Sequence, residues 1–301
     1  YLNISYVGYD SFHRSFTQLE QDTLLPVLLN SHQQLAEVVV TGEYTSSPLV
    51  QTSDMGHTRL NKDLIQQTPV LFGEADIIKT LQTLPGVSAG TAGLAGMYVR
   101  GGNGDDNLYM IEGNPLYQIN HVGGLFSSFN AEAVKDVEFF KSAFPARYGG
   151  RLSSVIDVRT NDGDMRNYHG SLTIGLLTSR MHFEGPLWKD RTSFIISARR
   201  SYADLIIKPF MDKDTKGGYY LYDINTKLNH RFSDRDRLFF SFYHGKDHAS
   251  FTNTSSYYFE EEKETDTRER QVMAWGSTLG ALRWNHIVSN RLFHNITLSY
   301  N

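Results

Sequence analysis

Between Leu221 and Phe232 the chain alternates strictly. Tyr222, Ile224, Thr226, Leu228 and Phe232 share one face, with His230 among them, and Asp223, Asn225, Lys227, Asn229 and Arg231 share the other. A period of two is that of a β-strand, whose successive side chains point to opposite faces. Near the end of the chain Leu292, Ile296, Leu298 and Tyr300 alternate in the same way with Asn295, Thr297 and Ser299. The pattern predicts about six strands, over 168–185, 191–200, 219–232, 236–250, 271–288 and 291–301. Several are longer than the ~5–6 residues usual in soluble sheets.

Turn-like gaps at Lys189-Asp190-Arg191, Ser233-Asp234-Arg235 and Ser289-Asn290 alternate with long polar segments such as 251–270. Short turns on one side and long loops on the other suit a transmembrane β-barrel of the outer-membrane type. The aromatic content, 13% with 17 Tyr and 18 Phe, fits the girdles of such a barrel as well as an aromatic core. No apolar run approaches the ~20 residues of a membrane helix. A formal net charge of −4 gives no basic face for nucleic acid. With no cysteine there is neither a disulfide framework nor a thiolate metal site.

Upstream the signals mix. Residues 1–36 open on an alternating run, Leu2 to Tyr9, too short for a core of its own. Residues 37–54 begin Glu37-Val38-Val39-Val40-Thr41-Gly42 and continue as a Ser-, Thr- and Gln-rich stretch, a strand-forming segment on a linker. Over 55–163, Asn61 is placed to cap a short helix through Gln67, and Ile77, Ile78, Leu81 and Leu84 have helical spacing ended by Pro85-Gly86. Strand-like runs at 97–100, 108–111, 137–141 and 155–158 are separated by Gly-rich turns. This reads as a small α+β domain.

That domain carries a series of short motifs in order: Leu84-Pro85-Gly86-Val87, Tyr98-Val99-Arg100-Gly101-Gly102, Met110-Ile111-Glu112-Gly113-Asn114-Pro115, Val137-Glu138-Phe139-Phe140-Lys141, Tyr148-Gly149-Gly150 and Val155-Ile156-Asp157-Val158. Their order and spacing resemble the plug domain of TonB-dependent receptors. Residues 1–36 resemble the end of the carboxypeptidase-regulatory-like domain of SusC-like members, and Glu184 to Leu187 with Arg199 to Tyr202 resemble the first barrel strands of that branch.

The resemblance implies an α+β plug followed by antiparallel transmembrane β-barrel strands, an incomplete part of a 22-stranded barrel, at 164–301. It implies active import of a glycan, peptide, siderophore or similar nutrient across the outer membrane of a Gram-negative bacterium. The other implied role is that of an outer-membrane ligand receptor or signal transducer. The partners implied are TonB with its inner-membrane energising complex, a SusD-like surface lipoprotein, the ligand and outer-membrane lipid. No catalytic residue, cofactor or metal is expected.

By the same resemblance, Glu37, Val38, Val39, Val40, Thr41 and Gly42 form a TonB box that adds as a strand to its partner. From the residues alone the segment reads equally as the last strand of the preceding domain. Arg100 and Lys141 match basic plug positions that latch onto acidic residues of the barrel wall; the alternative is ordinary surface ion pairing. Three plug loops, 88–95, 102–107 and 115–124, are expected to face the ligand. Asn103, Asp105, Tyr117, Asn120 and His121 are the candidate contacts. The run 101–107 lacks the Lys-Ser/Thr of a phosphate loop and the terminal Glu of an EF-hand. His244 and His248, four apart in a strand, fall on one side; a metal pair is the alternative, and they read as polar lumen residues.

Overall fold

A computed structural model describes residues 2–4, 12–15, 27, 56–68, 74–89, 96–121, 124–207, 209, 215–259 and 262–301. The chain divides into two units, Tyr1–Ser53 and Asp54–Asn301. In the first, β1 (Leu2–Ile4) pairs antiparallel with β2 (Phe12–Arg14). The TonB-box-like segment, 37–42, lies outside the described residues.

The second unit has two parts. The first is built on a five-stranded sheet. Its elements begin with β3 (His57–Asn61), α1 (Lys62–Gln67), α2 (Ile77–Gln82), β4 (Val87–Ser88) and β5 (Tyr98–Val99). They continue with β6 (Asn107–Ile111), β7 (Asn114–Pro115), β8 (Asn120–His121), β9 (Phe126–Ser127), β10 (Val134–Phe140) and β11 (Ser154–Thr160). The sheet order is β3-β10-β11-β6-β7, with β11 parallel to β6 and the other pairs antiparallel.

Both helices start where side chains can satisfy their free N–H groups. Asn61 accepts from Leu64 N at 3.0 Å. Asp76 accepts from Lys79 N at 3.1 Å, and its second oxygen accepts from Ser127 N at 2.6 Å. Asp76 therefore caps α2 and ties it to β9. Ile77, Ile78 and Leu81 of α2 are buried with Leu60, Val137, Phe139 and Ile156 of the sheet.

Two tight turns are made by the motifs themselves. Val99-Arg100-Gly101-Gly102 closes with Gly102 N donating to Val99 O at 2.9 Å. Arg100 and Gly101 have φ of 51° and 84°. Between β6 and β7, Glu112 and Gly113 have φ of 55° and 76°. A two-residue turn with both central φ values positive matches the twist of a hairpin and favours Gly at its second position.

The second part is one antiparallel sheet in sequence order: β12 (His169–Ile174), β13 (Thr178–Trp188), β14 (Thr192–Ser201), β15 (Thr215–Arg231), β16 (Asp236–Phe259), β17 (Glu262–Ser289) and β18 (Leu292–Tyr300). A short helix, α3 (Ala203–Ile207), precedes β15. Seven strands replace the expected six. The run 168–185 breaks at Gly175, whose N–H donates to Thr178 O at 2.8 Å to close a turn; apolar Leu176 and Leu177 hid that turn. The polar stretch 251–270, read as a loop, is strand up to Phe259 and again from Glu262, with the two limbs paired. Polarity does not exclude a strand, because Thr and Tyr keep their preference for extended backbone.

The alternation read in the sequence is the inside and outside of this sheet. On β14 and β15 the buried residues are mainly polar, among them Ser193, Ser197, Arg199, Ser201, Asp223, Asn225, Lys227 and Asn229, with apolar Ile195 and Leu221 beside them, and they lie on the plug side. Met181, Phe183, Ile196, Ile224, Leu228, Phe240, Leu282 and Trp284 are exposed on the opposite face. Among the described residues of the apolar plug core, Tyr243 and Leu279 come from the wall. His244 and His248 do not face the lumen as the sequence suggested. Asp247 between them points inward and is fully buried, so the period of two places both histidines outside, against Tyr222 and Tyr220.

Candidate functional site: buried charge nodes between plug and wall

Two clusters of charged side chains join the plug to the polar face of the wall. The upper one centres on Arg199 of β14. Its guanidinium bonds Glu74 of the plug, reaches Asp223 of β15 at 2.6 Å and donates to Ser127 O at 2.6 Å. Glu74 also accepts from Thr178 at 2.8 Å. Alongside, His121 Nδ1 lies 2.7 Å from Asp247 and Nε2 3.8 Å from Asp223. Gln118 donates to Asp247 at 2.6 Å, and Tyr219 donates to its other oxygen. The side chains of His121, Asp223 and Asp247 are 0% exposed.

The lower cluster centres on Lys227 of β15. Its Nζ lies 2.6 Å from Glu112 and 2.8 Å from Asp162, and donates to Thr160 O at 3.2 Å. Glu112 also meets Arg283 of β17 at 3.0 Å and accepts from Thr160 N and Oγ1 at 2.9 and 2.7 Å. The Arg283 guanidinium stacks over Phe239 at 4.7 Å. Asp223 and Lys227 are four residues apart on one face of β15, so the two clusters sit about 13 Å apart along the strand.

The hairpin geometry explains the position of Glu112. A non-glycine residue in the left-handed region costs about 1–2 kcal/mol. The turn is braced by Glu112 N donating to Val158 O at 2.9 Å and Gly113 N donating to Asp157 at 2.9 Å. That bracing aims the Glu112 carboxylate at Lys227 and Arg283. Burial would raise the Glu112 carboxyl, but the charge and hydrogen bond of Lys227, with Arg283 and Thr160, hold it below its ordinary value. Glu74 is depressed likewise: burial opposes ionisation and Arg199 outweighs it. Asp157 goes the other way. Its burial raises it, and the Gly113 N–H only partly compensates.

The residues singled out in the sequence are distributed differently. Arg100 is exposed and donates to Ser142 at 2.6 Å; Lys141 donates to Pro85 O at 3.2 Å. Burial and neighbouring Arg100 both lower Lys141. Neither has a carboxylate partner among the described residues. Asp105 and Tyr117 line one surface depression with Tyr109 and Arg151, and Tyr117 also borders Gly276, Ser277 and Tyr300 of the wall. Asn103 opens the short 3-10 turn 104–106, its N–H donating to Asp106 at 2.9 Å. Asn120 and His121 form β8, and His121 belongs to the upper cluster. Glu74, Arg199, Asp223, Lys227 and Arg283 were not recognised as site residues. The available signal was the pair Asp223 and Lys227, opposite charges on the polar face of an alternating strand.

This geometry defines a class: a domain seated against the polar inner face of an antiparallel wall whose outer face is apolar. Residues 56–155 match the family described as the TonB-dependent Receptor Plug Domain. The chain is similar in fold to the copper transporter OprC (9% identity, 82% of this chain and 37% of that one, TM-score 0.54). It is also similar to the outer membrane transporter YddB from Escherichia coli (13%, 81% and 38%, TM-score 0.53) and to FpvAI in its complex with pyocin S2 (14%, 82% and 34%, TM-score 0.51). The chain spans well under half the length of each. Its fold is thus a TonB-dependent receptor plug followed by part of an antiparallel barrel.

Proposed function

We propose that the chain is the plug and opening wall of an outer-membrane transporter that imports a nutrient at the expense of TonB. The observation that carries this reading is the pair of buried charge clusters. They hold the plug to the wall by a few localised ion pairs, where an extensive apolar interface would weld it permanently. A pull on the plug has to break those pairs, after which water and polar wall residues can re-solvate the freed charges. No chemistry is done on the cargo.

Glu37 to Gly42 serves as the TonB-binding strand, with the linker behind it giving reach. Arg100 and Lys141 latch onto wall strands beyond those described. Asn103, Asp105, Tyr117 and Asn120 form the ligand side of the plug, while His121, buried against Asp247, belongs to the cluster that holds plug to wall. The SusC-like motifs support a glycan or peptide cargo and a SusD-like lipoprotein partner.

The test uses the complete transporter. Val39→Pro removes a backbone donor and blocks strand addition. Uptake should fall to the level of a strain lacking TonB while surface binding of the ligand persists. Normal uptake would remove the box from this role, and retained signalling without any uptake in the native protein would make it a receptor. Asp105→Ala with Tyr117→Ala should weaken binding; unchanged affinity places the ligand elsewhere.

A further inference from the structure

Beyond the upper cluster the inner face of the wall changes character. The register of β15, β16 and β17 fixes which residues follow Asp247 on that side. Leu221, Asp247 and Trp275 share one row, Tyr219, Ala249 and Met273 the next, and Gly217, Phe251 and Gln271 the one after. Tyr219 is tied inward by its bond to buried Asp247, and its ring centroid lies 6.4 Å from that of Trp275. Trp275, Phe251 and Met273 are exposed. So is Tyr117 of the plug, which borders the same wall at Gly276 and Ser277. The inside of an outer-membrane barrel is ordinarily polar, and an exposed apolar patch marks a binding surface.

The charge of this surface is one-sided. Lys216, Thr252 and Arg270 share a row that alternates with the inward ones, so both cations point away from the inner face. One row beyond Gln271, Asn253 is paired with Glu269, whose exposed side chain falls on the inner side. Across 215–221, 247–253 and 269–275 the inner surface therefore presents aromatic and apolar groups and a carboxylate, and no lysine or arginine. Trp275 and Glu269 are six residues apart on β17, about 20 Å along the strand.

We propose that this surface takes as cargo a short extended peptide with apolar side chains and a positively charged end. The inference rests on the import reading above and names the cargo class. Indole, phenyl and thioether groups match hydrocarbon side chains. A sugar needs carboxylate or amide groups beside the ring it stacks on, and the Tyr219–Ala249–Met273 row supplies none. Aromatic faces attract ammonium and guanidinium groups, and Glu269 offers an opposite charge at the far end. A polyanion such as a ferric catecholate chelate finds no counter-charge on these rows. The distance from Trp275 to Glu269 is that of about six extended residues.

The test is calorimetric titration of the complete transporter in detergent. The probes are a hexapeptide with a leucine-rich half and a lysine-rich half, its analogue with glutamate for lysine, maltohexaose, and a ferric catecholate chelate. We expect the cationic peptide to bind and the two anionic probes to bind at least roughly tenfold more weakly. Trp275→Ala with Met273→Ser should weaken the peptide roughly tenfold, and Glu269→Lys should remove the preference for the cationic peptide over its acidic analogue. No binding of the cationic peptide, equal binding of the acidic analogue, or unchanged affinity in both variants overturns the proposal. Tight binding of maltohexaose in place of the peptide overturns it in favour of a glycan. Failure of the import reading shows separately, as peptide binding by a protein whose uptake is the same with and without TonB.

Discussion

At the scale of single residues, Glu112 is the most exposed to test. It occupies a left-handed position that glycine would fill more cheaply, and its carboxylate is the shared partner of Lys227 and Arg283. Removing one member of a buried ion pair strands the other, at a cost of about 3–5 kcal/mol. Glu112→Gln should therefore loosen the plug by about that amount, read as faster hydrogen exchange in β6, β7 and β11 of the complete protein. Unchanged exchange would show that the lower cluster does not hold the plug. The pH dependence has a definite sign. Glu112 and Glu74 are both depressed in the folded state, so their stabilisation is present above the ordinary glutamate value of about 4.3. It is lost as pH falls through their folded values. Plug protection should thus be flat near neutrality and decline below about pH 4; a decline between pH 6 and 8 would point to another group.

At the scale of elements, β15 carries the whole argument in one strand. Its inward residues Asp223, Asn225, Lys227 and Asn229 meet the plug, and its outward residues Ile224 and Leu228 face away. In a barrel the outward set contacts lipid. Leu228→Arg should then destabilise the folded complete barrel by about 2–4 kcal/mol in bilayers, and arginine in place of Tyr220, near the boundary, by at most about 1. Equal costs at the two positions would contradict the lipid assignment. Strand identity was readable here because period-two alternation survives any tertiary arrangement. The break at Gly175 and the paired limbs 251–259 and 262–270 were not, because a tight turn can be lined with leucine and a strand can be as polar as a loop.

At the scale of the molecule, the seven wall strands among the described residues leave β12 and β18 at the sheet's edges. Hydrocarbon offers no partner to an open edge's backbone groups. Residues 164–301 alone should therefore fail to give a monomeric, heat-resistant band in detergent; a closed barrel from this segment would refute the partial-barrel architecture. The plug core, by contrast, is largely self-contained. Ile77, Leu81, Val137, Phe139 and Ile156 pack with one another, and the wall adds Tyr243 and Leu279.

The amino-acid sequence by itself determined the elements and their faces. Asn61 capped the helix it was read to cap, the Ile77–Leu81 spacing made a helix, and the alternation from Leu221 to Phe232 sorted polar from apolar. Such features depend on neighbours one to four residues away, which any sequence displays. Tertiary structure alone decided which charges meet. Glu74 lies 125 residues from Arg199 and Glu112 lies 115 from Lys227. No local pattern records such pairings. They exist because the hairpin at Glu112-Gly113 and the cap at Asp76 hold the plug's carboxylates at the level where the register of β14, β15 and β17 presents a cation.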